Sequence, residues 1–228
     1  NLEYKLEERF NKAIKQSIND LDSEDPSLLA SLISLPGLSE IESLFEKVNP
    51  ISINNECINF QVSIGLYLLK DLRRLIHEVL VNVDQQWPKG KGERRLLAKT
   101  WFYLALAGDS QIIRNCVDSI DNSSMTIATA ALEALKPLDS PETMEASNLF
   151  YDLWKENPVV LDSWFSYEAS RPHKKGIEVV EKLLAHSKFD WKAPNAIRAV
   201  IGGFSKNIES FHSIDGEGYF FMAEKIIE

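Results

Sequence analysis

The sequence predicts an all-α fold: an irregular α-α superhelix of the HEAT or armadillo type, a solenoid of about ten to twelve short helices. Apolar residues recur at helical spacing along nearly the whole chain, and no convincing run alternates with a period of two. The breaks between apolar stripes are mostly about two to six residues long, which favours antiparallel neighbours. Rows of short helices joined by tight turns stack into a superhelix more readily than they close into a four-helix bundle.

Three helices are predicted in the first part of the chain. An apolar stripe with a period of about 3.6 residues predicts the first helix over 2–21. Asp25-Pro26 starts a short second helix, which ends at Leu35-Pro36-Gly37, because Pro suits a first helical turn and Gly suits a terminus. Ser39 and Glu42 then form a predicted capping box for the third helix.

The next boundaries follow from Pro, Gly and Asp residues. Asn49-Pro50 is predicted to end the third helix, and a long helical segment follows from about 53 to 83. Trp87-Pro88-Lys89-Gly90 predicts a loop before a helix over 93–107. Gly108-Asp109 then supplies a turn and an N-cap.

The second half of the chain contains seven further predicted helices. Apolar residues at i, i+3, i+4 and i+7, bounded by Pro, Gly and capping residues, mark their positions. Their approximate ranges are 111–120, 125–135, 140–154, 158–169, 176–186, 195–204 and 219–228.

Length and composition limit the classes of partner. The 228 residues suit one large domain or two small ones, and the net charge of −9 argues against a nucleic-acid partner, because phosphate binding needs a basic face. No apolar run reaches the length of about 20 residues that spans a membrane, so no membrane partner is expected. Cys57 and Cys116 form no metal or redox pattern and predict reduced thiols in a cytoplasmic protein. The chain begins at Asn1 rather than Met, which indicates an excised fragment.

An unusual stretch lies between Pro194 and Tyr219. Its predicted helix contains Gly202 and Gly203, which each cost about 1 kcal/mol relative to Ala. Paired glycines inside a helix indicate that another backbone or a ligand comes very close. Arg198 lies one turn before Gly202 on the same predicted face, and an Asp-Gly-Glu-Gly run that follows predicts a tight turn with left-handed positions.

This stretch resembles the C-terminal helical domain of bacterial-type aminopeptidase N, a zinc metallopeptidase family. The similarity lies in an Asn-x-Ile-Arg-x-x-Ile-Gly-x-Phe run that begins at Asn195, in Phe211-His212, and in an Asp-Gly-x-Gly-Tyr run that begins at Asp215. Three upstream segments also resemble family segments, in the same order and at similar spacing, and they are 35–51, 122–131 and 162–172.

The resemblance implies that residues 1–228 form one C-terminal superhelix domain that is truncated at both ends and lacks its catalytic domain. The parent protein would be a hydrolase that releases N-terminal amino acids from peptides and binds zinc in its catalytic domain. This chain would close the active-site chamber, and its partners would be the catalytic domain of the same polypeptide and the peptide substrate. The alternative hypothesis is a stand-alone helical-repeat scaffold that binds a partner protein.

No catalytic residue, metal ligand or cofactor is predicted within this chain. Zinc peptidases of this type carry His-Glu-x-x-His on a helix, with two histidine ligands and a glutamate that activates water. His77-Glu78 begins this pattern, but Val81 occupies the place of the second histidine. The pair is therefore interpreted as a surface pair on a helix, and the chain is predicted not to hydrolyse peptides by itself.

Arg198 is the candidate substrate-binding residue. The resemblance implies that it faces the internal cavity near the C-terminal side of a bound peptide, and a guanidinium can bind a carboxylate or carbonyl with two hydrogen bonds. A buried structural ion pair with an Asp or Glu of a neighbouring helix is the competing interpretation. The other residues of the motif are predicted to be structural, with the later ones tying the turn to the last helix, and they are Asn195, Gly202, His212, Asp215, Gly218 and Tyr219.

Overall fold

The computed structural model describes residues 2–21, 25–78, 83 and 89–227. Within these ranges every regular element is a helix, so the predicted all-α class is confirmed. The α-helices in chain order are α1 (Leu2–Leu21), α2 (Pro26–Leu32), α3 (Leu38–Glu42), α4 (Pro50–Tyr67), α5 (Leu69–Glu78), α6 (Lys91–Leu106), α7 (Ser110–Asn122), α8 (Met125–Leu135), α9 (Pro141–Trp154), α10 (Pro158–Ser170), α11 (Gly176–Leu184), α12 (Pro194–Ile197), α13 (Ile208–Phe211) and α14 (Glu217–Ile227). A π-helical segment, Arg198–Gly202, follows α12 directly.

Several predicted helix starts are confirmed by hydrogen bonds. The Asp25 carboxylate accepts from the Leu28 backbone N–H at 2.8 Å and caps α2. Gly108 adopts a left-handed φ of 78°, and the carboxylate of the next residue, Asp109, caps α7 by accepting from the Ile112 N–H at 3.3 Å. The first turn of a helix leaves backbone N–H groups without acceptors, and these two carboxylates supply them. This requirement explains why an Asp precedes each helix.

Two predictions in the first third are wrong. The capping box is not formed by Ser39 and Glu42, because α3 begins at Leu38 and the Glu40 carboxylate accepts from the Gly37 N–H at 2.7 Å. The third helix also ends at Glu42 instead of reaching Asn49, since the apolar residues that follow it remain exposed and provide no packing that would stabilise further turns.

The predicted long segment over 53–83 is two helices rather than one. Asn49-Pro50 starts α4 rather than only ending the preceding helix, and the Asn49 side chain accepts from the Ser52 N–H at 3.0 Å. A turn at Leu68 separates α4 from α5. The remainder of this segment at 79–82 and the first two predicted loop residues, Trp87 and Pro88, lie outside the described residues.

The chain divides into two compact units. The N-terminal unit comprises Asn1–Leu44 and Glu56–Ala146, and the C-terminal unit comprises Phe45–Asn55 and Ser147–Glu228. None of the helices in the described ranges combines the length and the apolar character that a bilayer crossing requires.

In the N-terminal unit, α6 packs against α2, α7 and α8. The Tyr103 hydroxyl of α6 donates to the Ile33 carbonyl oxygen at 2.6 Å, and burial raises the pKa of Tyr103 to about 12. Gly65 of α4 lies so close to α6 that a Cβ atom there would stand 2.4 Å from the Tyr103 carbonyl oxygen. A side chain at this position is therefore excluded by backbone contact.

In the C-terminal unit, α10 packs against α11, α12 and the π-helical segment. The side chains of Phe165, Val180, Val200 and Phe204 are fully buried at the centre of this packing. They come from three successive parts of the chain, so the helix that carries Arg198 is held by the core of its own unit.

His186 belongs to an aromatic cluster at the edge of this core. Its ring lies 5.5 Å from the Tyr151 ring and 5.4 Å from the Phe165 ring, measured between centroids. The Nδ1 atom accepts from the Lys188 N–H at 3.1 Å, so the proton of the neutral ring is on Nε2, which lies 3.2 Å from the Tyr151 hydroxyl. Burial, with a smaller effect from Lys188, lowers the pKa of His186.

Stability is therefore expected to depend on pH through His186. The unfolded chain binds a proton at a pKa of about 6.5, whereas the folded chain binds it only at lower pH, so the free energy of unfolding should fall as the pH decreases below about 6.5. Urea unfolding between about pH 5 and 8 measures this fall. The variant His186→Asn should flatten the profile, while His173→Asn, outside the aromatic cluster, should keep it. A profile that is equally steep in His186→Asn would contradict the assignment.

Candidate functional site

The motif helix, which we define as residues 194–204, starts at Pro194 and widens into a π-helical segment at Arg198. Pro194 occupies the first helical turn, where a backbone N–H would have no acceptor within the helix, so the lack of an N–H costs no hydrogen bond. The Arg198 N–H is directed at the carbonyl oxygens of Pro194 and Asn195. π-Helical turns are rare, and they occur frequently at functional sites. The start of such a turn at Arg198 therefore indicates a candidate functional residue.

The motif helix has a buried side and an exposed side. Its buried residues are Ala196, Ala199, Val200, Ile201 and Phe204, and the last four belong to the core of the C-terminal unit. Asn195, Arg198 and Gly202, by contrast, are exposed. These three residues of the motif are therefore not explained by core packing.

The paired glycines behave differently from each other. A Cβ atom at Gly203 would lie 3.0 Å from the Ala169 Cβ and 3.2 Å from the Ser166 carbonyl oxygen of α10. At Gly202, no described atom outside the immediate helix comes within 4 Å of that position. The expected close approach of a backbone is confirmed at Gly203, whereas Gly202 faces open space.

The Arg198 guanidinium is free of protein partners within the part of the chain that the structure describes. None of the described carboxylates or carbonyls forms an ion pair or hydrogen bond with it. The ion pair of the competing interpretation, with a carboxylate of a neighbouring helix, is not formed among these residues, where the Arg198 side chain is exposed.

The later motif residues hold the turn between α13 and α14. The His212 Nδ1 atom and the Tyr219 hydroxyl lie 2.5 Å apart. The Asp215 carboxylate accepts from the Ser213 hydroxyl at 2.7 Å and from the Glu217 N–H at 3.0 Å, and these bonds, led by that from Ser213, lower the pKa of Asp215. The contacts connect the turn to the first residues of α14.

Gly216 and Gly218 meet two different requirements of this turn. Gly216 has a φ of 77°, which is the left-handed conformation that the Asp-Gly sequence predicts. A Cβ atom at Gly218 would lie 2.4 Å from the Phe211 carbonyl oxygen and 2.6 Å from that of Ser210. Any side chain at Gly218 would therefore collide with the backbone of α13.

A buried polar cluster that sequence reasoning missed supports the same region. Asn207 is only 1% exposed, and its side-chain oxygen accepts from the Ser210 N–H at 3.3 Å. The Ser210 hydroxyl donates to the His173 carbonyl and accepts from the Gly176 N–H at 3.0 Å. Asn207 is a typical N-cap residue, but α13 has only four residues and shows no periodicity that would reveal it.

The donor groups of the described residues do not fit a zinc ion. His77 lies on α5 and lines a small polar cleft with Arg73 and Asp109, which form an ion pair at 2.6 Å. Across the described ranges, no three His, Cys, Asp or Glu side chains are grouped where they could hold a metal ion. Val81, which replaces the second histidine of the peptidase motif, lies outside the described residues.

Residues 1–228 match the family model described as "Domain of unknown function (DUF3458_C) ARM repeats". The chain belongs to this family. Armadillo repeats are the class of α-helical repeat that the sequence predicts. The chain is also similar to aminopeptidase N of Caulobacter vibrioides, with 27% identity over 97% of the chain, and to aminopeptidase N of Escherichia coli, with 28% identity over 90%.

A solved structure shows the same relationship. The crystal structure of Legionella pneumophila aminopeptidase A in complex with aspartic acid matches 95% of this chain with a TM-score of 0.83 and 28% sequence identity. Together with the family match, these similarities confirm the resemblance to the C-terminal domain of aminopeptidase N. The chain spans about a quarter of the length of these relatives, namely 26%, 24% and 26%.

The two adjacent glycines provide a matched test of the packing between the motif helix and α10. Both alanine variants gain the same helix propensity of about 1 kcal/mol, so the difference between them isolates the contact with α10. Gly203→Ala is expected to be less stable than Gly202→Ala by about 1–3 kcal/mol, because the added methyl group overpacks the contact with α10. Chemical denaturation measures both values, and equal stabilities would contradict the close approach.

Proposed function

We propose that this chain is the non-catalytic C-terminal domain of a zinc-dependent aminopeptidase N that releases N-terminal amino acids from peptides. In this role the domain closes the active-site chamber, and Arg198 contacts the C-terminal side of the peptide substrate. The observation that carries the proposal is the exposed guanidinium of Arg198, which is unpaired among the described residues and lies on a helix that the core holds in place. The family match and the aminopeptidase relatives supply the context.

The anchoring of the helix supports a binding role for Arg198. Val200 and Phe204 are fully buried two and six residues after it, so the backbone at Arg198 is fixed before any ligand arrives. A ligand that binds a preorganised group loses less conformational entropy than one that must order a loop. Asn195 and Gly202, three residues before and four residues after Arg198, are also exposed and carry no charge.

The chemistry of the guanidinium suits a peptide carboxylate. Its planar fork donates two parallel hydrogen bonds to a carboxylate, which a lysine ammonium cannot match geometrically. Contact with the C-terminal end of a peptide is remote from the bond that is hydrolysed. The interaction would therefore contribute mainly to substrate affinity and would favour short peptides with a free carboxylate over substrates that lack one.

Zinc and the residues that activate water belong to the catalytic domain in this proposal, and the present chain contributes binding surface alone. The partner of that surface is the catalytic domain of the same polypeptide. A cytoplasmic location is proposed with it. The two cysteines support the location: both are free thiols, and burial raises the pKa of Cys116 to about 12, which keeps its thiol unreactive.

Replacement of Arg198 in the native full-length protein tests this function. Arg198→Ala is expected to raise KM for tripeptides about tenfold, the factor that corresponds to about 1.4 kcal/mol, with little change in kcat. KM for aminoacyl arylamides, which have no peptide carboxylate, should stay the same. Steady-state kinetics on both substrate types measure the contrast.

A nearby lysine provides the control for this experiment. Lys206 is exposed two residues beyond the buried Phe204, so Lys206→Ala removes a positive charge from the same region without altering the proposed contact. It should leave both KM values unchanged. Equal effects of the two variants, or an Arg198→Ala effect on arylamides as large as on tripeptides, would refute the substrate contact. A native protein without peptidase activity would instead favour the helical scaffold that binds another protein.

A further inference from the structure

A cleft of about 270 Å³ lies in the N-terminal unit among α4, α6, α8 and the segment after α2. Leu35, Phe102, Ala130 and Ala134 form its apolar walls. Its volume is just below the range of about 300–1,000 Å³ that is typical of ligand sites, so it suits a molecule of the size of an amino acid rather than a nucleotide. The cleft is formed entirely by residues of one unit and does not include the motif around Arg198.

Lys99 places a positive charge in the lining of this cleft. Its side chain is partly buried and, among the described residues, no ion pair or hydrogen bond engages its ammonium group. Burial, with a smaller contribution from Arg95, lowers the pKa of Lys99. A partly desolvated ammonium without a counter-ion is unfavourable, and an anionic ligand in the cleft would remove that cost.

The other polar groups of the lining narrow the choice of ligand. The Tyr103 hydroxyl already donates to the Ile33 carbonyl, whereas the Gln61 amide is not engaged by any described residue and can donate or accept. Glu133 borders the cleft and forms an ion pair with Lys136 at 3.5 Å. With one cation, one amide and a neighbouring carboxylate, the cleft favours a single negative charge and disfavours phosphates or dicarboxylates.

We propose that the cleft is a binding site for a small monocarboxylate with a short apolar body. The carboxylate binds Lys99 and Gln61, and the apolar body packs against Leu35 and Phe102. This assignment is independent of the proposed peptidase role, because it uses none of the residues between Asn195 and Tyr219. Two kinds of molecule share this chemistry: a branched carboxylic acid, and a free apolar α-amino acid whose ammonium group is attracted by Glu133.

Titration with three isosteric probes distinguishes the two sources and tests the site. The probes are 4-methylpentanoate, L-leucine and 3-methylbutan-1-amine, which carry the carboxylate alone, both charges and the amine alone. Binding to the whole protein is followed by isothermal titration calorimetry, and the contacted residues are located by photo-crosslinking with a diazirine analogue of leucine. Binding of 4-methylpentanoate and of L-leucine is expected to saturate, whereas binding of 3-methylbutan-1-amine is not. Tighter binding of L-leucine by about tenfold identifies an amino-acid site, whereas equal affinities identify a carboxylic-acid site.

Three variants connect binding to the cleft. Lys99→Met keeps the length of the side chain and removes its charge, and it should weaken both carboxylates at least tenfold. Ala130→Leu should weaken them equally by filling the cleft. Lys70→Met serves as the control, because it removes an exposed lysine of α5 that does not line the cleft, and it should leave binding unchanged.

Three results would overturn the site. They are the absence of saturable carboxylate binding to the wild-type protein, full binding by Lys99→Met, and crosslinks that lie outside Leu35, Gln61, 98–103 and 130–134. The crosslinks are obtained with the wild-type protein, so this outcome is decisive even where a variant does not fold. Loss of peptidase activity in Arg198→Ala has no bearing on these results, which separates this site from the proposed function.

Discussion

The contact between α10 and the motif helix at Gly203 is the constraint on which the candidate site depends. With no side chain there, the helix approaches the Ser166 carbonyl of α10 closely enough for Val200 and Phe204 to be buried fully. A side chain at 203 would push the helices apart and loosen both residues. Because this side of the motif helix is buried, Arg198 lies on the exposed side. The exposure of its side chain is therefore a consequence of helix packing.

The motif residues therefore divide by physical role. His212, Asp215 and Gly218 are engaged within the protein, through side-chain hydrogen bonds or through close backbone contact that excludes a Cβ atom. Arg198 and Gly202 are exposed and have no such explanation. Packing accounts for the first group without reference to a ligand, whereas it does not account for the second group.

The sequence was sufficient for the fold class and for caps such as Asp25 and Asp109, because apolar periodicity and capping are local properties. It misplaced the capping interaction of α3, which Glu40 rather than Ser39 makes, because several successive polar residues are able to form such a hydrogen bond. It missed α13, which depends on tertiary hydrogen bonds of Ser210, and it could not distinguish Gly202 from Gly203. The assignment of Arg198 came from resemblance, since only the structure shows that its guanidinium has no partner among the residues it describes.

The central claim is that this domain works within a zinc aminopeptidase polypeptide. Intact-mass analysis of the native protein, combined with its zinc content and the coding sequence upstream of Asn1, tests that claim most directly. The account predicts a polypeptide about four times as long as this chain, as in its relatives, with one zinc ion and a His-Glu-x-x-His sequence before Asn1. A native polypeptide of about this length that contains neither zinc nor that motif would contradict it and would leave a helical binding scaffold.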